Sequence, residues 1–299
     1  MLWLIFSFVA AICTSLTTIF AKIGVKNVNS DFATFYRTGV VIVFSALLCL
    51  ITGGFGSIVS FTAENYVFLV LSGLATGFSW LCYYKALKDG EVKKVASIDK
   101  SSFVLTSVLF VIFFFDETTK NGNPFTIVML VVSSALMLTG TLLMVDDHEE
   151  TEENKNKKWI IYAVLSAVFA ALTSLFIKLG LRGVNSNLGT LLRSLVVFAF
   201  AGAITGGKKE FAGVKNAGAR TFVFLTLSGV ATGGAWLCEY AALADAAANP
   251  VVVGAVGKFS ILLTMTVCAV FLKEKFTKRS LAGLIILTAG IALITIFGL

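Results

Sequence analysis

Runs of about 20 mostly apolar residues, the length a helix needs to cross a hydrocarbon core about 30 Å thick, recur along the chain between short polar stretches. The pattern predicts spans near residues 2–23, 32–53, 65–87, 95–115 and 124–145. A hydrophilic stretch follows from Asp146 to Lys158, and then five more spans near 159–181, 188–205, 221–244, 250–272 and 280–298. Pro124 and Pro250 fall where a helix would begin, the first-turn position at which a missing N–H does no harm. The first span has no basic stretch ahead of it and no small-residue cleavage site behind it, so it reads as a retained span rather than a signal peptide.

The two sets of five repeat one another. Ser15 to Arg37, SLTTIFAKIGVKNVNSDFATFYR, matches Ala171 to Arg193, ALTSLFIKLGLRGVNSNLGTLLR, at a constant shift of 156 residues. The same shift aligns Leu71 to Asp89 with Leu227 to Asp245, where 13 of 19 positions are identical. After a drift of two residues, Asp99 to Thr119 resembles Gly257 to Thr277. An internal duplication of this length is a fold-level signal. Because each unit has an odd number of spans, the second must enter the membrane from the opposite side. The expected fold is therefore an all-α integral membrane protein of ten transmembrane helices in two inverted five-helix repeats. The first repeat covers 1–145, the linker 146–158 and the second repeat 159–299.

Composition agrees and removes other classes. Of 299 residues, 57% are hydrophobic and 14% charged, against about a quarter charged in soluble domains, and the mean hydropathy is +0.91. A water-soluble enzyme is excluded on that ground. The five cysteines lie in apolar segments without CxxC or Cys/His metal spacing, and the single histidine, His148, sits in the charged linker. No cofactor, metal site or His-based triad is expected.

The net charge of +7 comes from basic residues scattered in short clusters between spans, not from a contiguous basic domain, so nucleic acid is not an expected partner. Their distribution instead sets orientation. Loops after the first, third, fifth, seventh and ninth spans carry fifteen Lys and Arg; the alternate loops carry only Lys120 and Arg182. Cytoplasmic loops are enriched in these residues, which predicts a multi-pass protein of the cell membrane with both termini outside the cytoplasm.

Ten spans in inverted repeats, a Trp-containing third span in each unit, and a fourth span ending in an acidic residue before Thr (FFFDETT, FLKEKFT) together resemble the EamA family of the drug/metabolite transporter superfamily. The resemblance covers nearly the whole chain. It implies a secondary transporter with a central cavity between the repeats and a small-molecule substrate of unspecified kind.

Seven basic residues lie inside or at the ends of spans: Lys22, Arg37, Lys85, Lys100, Lys178, Arg193 and Lys258. A Lys or Arg at a helix centre costs roughly 2.5–3.5 kcal/mol on insertion scales, so such residues face a cavity or a partner. Lys22, Lys85 and Lys178 are near enough to helix ends to snorkel. Arg37 and Arg193 are repeat equivalents that either line the cavity or pin neighbouring helices. Lys258 lies eight residues past Pro250, roughly 12 Å into the bilayer at about 1.5 Å per residue. Lys100 is its shallower equivalent, with Asp99 beside it.

Glu239 replaces Tyr83 of the first unit and shares a helix face with Trp236 and Tyr240 by 3,4 spacing. It is the candidate proton carrier and a candidate partner for a cationic amine; otherwise it pairs with Lys258 or Arg193. Trp80 with Tyr84, and Trp236 with Tyr240, recur at i,i+4. The stretches before them, GLATG (73–77) and GVATG (229–233), have the spacing of closely packed membrane helices. These aromatic pairs are stacking walls for a ligand or plain packing.

The expected function is a secondary transporter moving a small polar metabolite, an amino-acid-like zwitterion or organic anion, by alternating access. The expected substrate-binding set is Arg37, Trp80, Tyr84, Lys100, Arg193, Trp236, Glu239, Tyr240 and Lys258, with a proton as the default coupling ion and lipid as the surroundings. One alternative is a carrier of cationic or quaternary-ammonium compounds, held by Glu239 and an aromatic cage. A remoter alternative is a membrane-embedded enzyme using Asp99, Lys100 and Glu239, although these form no recognised nucleophile–base set. Oligomeric state is not legible in the chain.

Overall fold

The computed structural model describes residues 2–24, 28–89, 98, 102–144, 158–208, 218–271 and 277–298. Among the described residues the regular structure is wholly helical. The helices are α1 (Leu2–Gly24), α2 (Ser30–Ile51), α3 (Ala63–Asp89), α4 (Ser102–Phe113), α5 (Phe115–Thr119), α6 (Pro124–Met144), α7 (Lys158–Gly180), α8 (Ser186–Gly207), α9 (Ala219–Ala244), α10 (Pro250–Phe271) and α11 (Lys278–Gly298). Eight of them are long and apolar enough to cross a membrane; α4 and the stretch Pro250–Thr264 of α10 are shorter apolar helices.

Local chemistry sets the boundaries. Pro124 and Pro250 open α6 and α10. The repeat-equivalent Asn29 and Asn185 cap α2 and α8, each side-chain carbonyl accepting from amides of the first turn, which satisfies donors that have no intrahelical partner. The expected fourth span, 95–115, differs most. Its helix breaks at Phe114 (φ −134°, ψ 47°) before the short α5, while 95–97 and 99–101 lie outside the described residues. A short 3-10 turn, Gly54–Ser60, follows α2 where Gly53 adopts φ +66°, a left-handed conformation that favours glycine.

The halves do not pack as separate bundles. α1 lies on α9, α7 on α3, α2 on α8 and α6 on α11, each pair combining one helix from either half. The contacts are reciprocal under the 156-residue shift. The Ser72 hydroxyl donates to the Thr173 carbonyl and the Ser228 hydroxyl to the Thr17 carbonyl. Thr76 meets Thr173 through their hydroxyls, and Thr17 meets Thr232, both at 3.3 Å. Like residues of the two halves thus make like contacts across them.

Gly73 and Gly229, the first glycines of GLATG and GVATG, sit where a neighbouring helix comes close. A Cβ on Gly73 would lie 2.7 Å from Val196 Cβ, and one on Gly229 would lie 2.6 Å from Val40 Cβ. These stretches therefore dock α3 on α8 and α9 on α2.

Equivalent helices run antiparallel where they meet. Asp31, at the start of α2, forms an ion pair with Lys208 just past the end of α8. At the other end of this pair, Asn187 near the start of α8 donates to Thr52 just past α2, at 3.4 Å. α6 and α11 likewise cross at Gly140 and Gly290, where added Cβ atoms would meet backbone of the opposite helix: Gly283 O at 2.7 Å and Ser133 O at 3.0 Å.

Candidate functional site

A cavity of about 210 Å3 lies between α1, α9 and α10. α1 contributes Ser7, Ala10 and Thr14, which share one helix face at spacings of three and four residues. α9 contributes Glu239, and α10 contributes Gly254, Gly257, Lys258 and Ser260. The Ser7 and Thr14 hydroxyls donate to carbonyls one turn back, Trp3 O at 2.9 Å and Ala10 O at 2.8 Å. Their lone pairs remain as acceptors. The cavity's volume is below the 300 Å3 or so at which drug-sized sites begin.

Two opposite charges define its chemistry. Glu239 and Lys258 both line the cavity. A carboxylate and an ammonium in one small space, with hydroxyl acceptors beside them, can hold a solute carrying both signs of charge.

Arg193 packs against Trp236 and Tyr240, the α9 residues that flank Glu239. It is 3% exposed. Its Nε donates to the Ser72 hydroxyl at 3.0 Å and one terminal nitrogen donates to Thr76 at 2.8 Å. The other terminal nitrogen is buried and has no hydrogen-bond partner. The guanidinium carbon lies 4.6 Å from the Trp236 ring centroid and 5.4 Å from that of Tyr240. Those two rings are themselves stacked, with centroids 6.4 Å apart and 18° between planes. The aromatic pair is thus engaged by a protein cation, and Tyr240 is core at 2% exposure.

The first repeat is packed differently at the equivalent place. Tyr83 stands where the second repeat has Glu239, and Ala163 where the first has Ser7. Tyr83, Ile98 and Tyr162 pack on the buried cluster of Ala86, Trp159 and Ala163, and the Lys85 ammonium lies 4.4 Å from the Tyr162 ring centroid. One end of the molecule therefore has a charged cavity, and among the described residues the matching position at the other holds an aromatic and apolar cluster with Lys85 over it.

Of the residues singled out in the sequence, Glu239 and Lys258 come together in the cavity, and Arg193, Trp236 and Tyr240 form the stack beside it. Arg37 is half-buried and donates to the Thr232 hydroxyl at 2.9 Å, the counterpart of Arg193 with Thr76. Trp80 is half-buried on α3. The side chain of Tyr84 and the whole of Lys100 lie outside the described residues. Lys178 corrects an expectation. Instead of snorkelling it is 5% exposed, donating to Leu243 O at 2.9 Å and pairing with Glu117 at 3.0 Å. Ser7, Thr14 and Ser260 were missed; the signal for the first two was their 3,4 spacing with Ala10 on one face of the first helix.

The model of the EamA-like transporter family matches residues 1–139 and 157–296. A protein from a Sinorhizobium species, described as an uncharacterized transporter in the cobO 3′ region, is 41% identical over 111 residues, 37% of this chain and 79% of that protein. A protein of known crystal structure superposes with a TM-score of 0.71 at 12% identity, covering 98% of this chain and 97% of the other. Likeness at that identity speaks to the fold alone.

Proposed function

The chain belongs to the EamA-like transporter family, and its many apolar helices make it a multi-pass membrane protein; from that premise we propose that it is a secondary transporter of a small polar metabolite. The substrate is an amino-acid-like zwitterion or an organic anion, taken up in the cavity between α1, α9 and α10. The observation that carries this reading is that Lys258 and Glu239 line one cavity. Lys258 anchors a carboxylate. Glu239 anchors an ammonium and, when the substrate has none, carries the coupling proton.

Ten spans in two inverted five-helix repeats provide the machinery. The fourth span of the first repeat is α4 with α5, and that of the second is α10. Reciprocal contacts and antiparallel equivalent helices support this arrangement, as does the distribution of Lys and Arg, which puts both termini outside the cytoplasm in the cell membrane. Inverted halves rocking about a midplane site give alternating access. The charged cavity then belongs to the outer side, and the Tyr83–Trp159–Tyr162 cluster closes the inner side.

The alternative, a quaternary-ammonium carrier, needs free aromatic faces. Arg193 already covers Trp236 and Tyr240, and the cavity is small, so the zwitterion or anion reading is favoured. Reconstitution into liposomes tests it: substrate-driven flux is expected to vanish in Lys258→Ala, and undiminished turnover would remove that residue from the site.

A further inference from the structure

Lys258 borders more than the charged cavity. A void of about 10 Å3, room for about one water, is walled by Lys258 and Ile261 from α10 and by Phe103, Val104, Met137 and Leu138 from α4 and α6. The Lys258 ammonium lies 6.0 Å from the Phe103 ring centroid. Lys258 and Ile261 also belong to the wall of the charged cavity. Val104 and Leu138 also belong to the wall of a third space, about 430 Å3, between α4 and α6. Three spaces are thus in series, with shared wall residues at each junction.

The third space is apolar. Val, Ile, Leu and Ala side chains make most of its wall, Val104, Val108, Ile112, Leu130 and Leu138 among them, with Ser107, Thr119 and Ser134 as the polar members. The hydroxyls of Ser107 and Thr119 there are turned onto backbone, donating to Phe103 O at 2.9 Å and Phe115 O at 2.7 Å. It opens sideways, since Val108, Ile112 and Val131 are 51%, 66% and 64% exposed. Its α6 wall, Ile127 to Leu138, lies roughly 5–21 Å along a helix that begins at Pro124, at about 1.5 Å per residue. That depth is within the hydrocarbon layer, so the opening meets acyl chains rather than water.

We propose that the gap between α4 and α6 is a lateral, lipid-facing entrance to the Glu239–Lys258 cavity, taking the alkyl tail of an amphiphile whose polar head sits between the two charges. This rests on that cavity being the substrate site, and it narrows the proposed zwitterion or organic anion to one whose charged head carries an alkyl tail. The series of spaces has the matching order: apolar groove, single-water waist, charged chamber. Lys258 suits the junction, because its aliphatic stem lies along the tail's path while its ammonium meets the head. The waist is closed here by Phe103 and the Lys258 stem, both side chains that open by rotation. A tail leaving lipid for the groove gains little hydrophobic free energy, so the groove selects tails by shape.

The test uses the full chain in liposomes, with native cysteines replaced by alanine and Ser260→Cys placing one thiol in the cavity wall. N-dodecylmaleimide, a polar head on an alkyl tail confined to the bilayer, is expected to label that thiol. Leu138→Trp, which fills the waist, is expected to cut this labelling at least tenfold without slowing a charged, water-borne maleimide. Val104→Trp is an independent block, and Val132→Trp, on the lipid face of α6, is the control that changes neither rate. Labelling by the charged reagent alone, or dodecylmaleimide labelling indifferent to both tryptophans, overturns the entrance and leaves the cavity as a site. Failure of both reagents contradicts the cavity as a substrate site and the entrance with it. Labelling by dodecylmaleimide that falls as protein density rises assigns the groove to a second copy of the chain, and also overturns the proposal.

Discussion

The Arg193 guanidinium lies 4.6 Å from the ring of Trp236, joining α8 to α9 at the side of the charged cavity while its hydrogen bonds to Ser72 and Thr76 reach α3. A planar fork over an aromatic face is a geometry that lysine cannot reproduce. Arg193→Lys is therefore expected to destabilise the protein by about 2 kcal/mol, from lost charge-assisted hydrogen bonds and cation–π contact. The fall in thermal midpoint of the purified protein checks this; an unchanged midpoint would mean that the stack contributes nothing.

The glycine contacts are reciprocal, so their substitutions are too. Gly73→Ala and Gly229→Ala each drive a Cβ against the Cβ of Val196 or Val40, and each is expected to cost about 1–3 kcal/mol by overpacking. Val196→Ala should relieve the first and Val40→Ala the second. Thermal denaturation of the single and paired variants measures the coupling; additive losses would contradict the crossing geometry.

The pair of Lys178 and Glu117 is asymmetric, one side chain 5% and the other 37% exposed. Glu117→Ala removes the counter-charge and leaves the buried ammonium with the Leu243 carbonyl and the Phe114 ring, 5.6 Å away, at a cost of about 3 kcal/mol. Lys178→Met leaves a carboxylate that water still reaches, for under about 1 kcal/mol. Comparing the two midpoints tests the order, and the reverse order would refute it.

Orientation has its own consequence. Ser57, in the turn after α2, and Arg220, at the start of α9, should lie on opposite sides of the membrane. An impermeant thiol reagent is expected to label Ser57→Cys in intact cells and Arg220→Cys only after permeabilisation. The opposite result would turn the molecule over.

If Glu239 carries the coupling proton, Glu239→Gln should abolish uptake driven by a pH gradient in liposomes while retaining exchange of substrate down its own gradient. Gradient-driven uptake surviving in that variant would place the coupling elsewhere.

Much of the architecture was legible before any coordinates. The 156-residue shift joins Ser72 to Ser228 and Arg37 to Arg193 in the sequence, and the same pairs make the reciprocal contacts across the halves. Pro124 and Pro250 marked helix starts because their chemistry is local; the Asn29 and Asn185 caps emerged only with the structure. Lys178 was misread because depth along one helix says nothing of the neighbour over it; α5 covers it through Glu117. The Trp236–Tyr240 pair was visible as spacing, but whether its faces were free depended on Arg193 arriving from another helix. Ser7 and Thr14 were hidden among apolar neighbours, since a small hydroxyl in a membrane helix usually serves only its own backbone.

The central claim is that Glu239 and Lys258 hold a solute bearing a carboxylate, and ligand-induced stabilisation of the purified protein tests it most directly. With metabolites grouped by charge, zwitterions or anions are expected to raise the thermal midpoint of the wild type, a ligand at 100 times its Kd contributing about 2.7 kcal/mol. The same compounds should have no effect on Lys258→Ala. Stabilisation by cationic compounds alone, persisting in Lys258→Ala, would contradict the account.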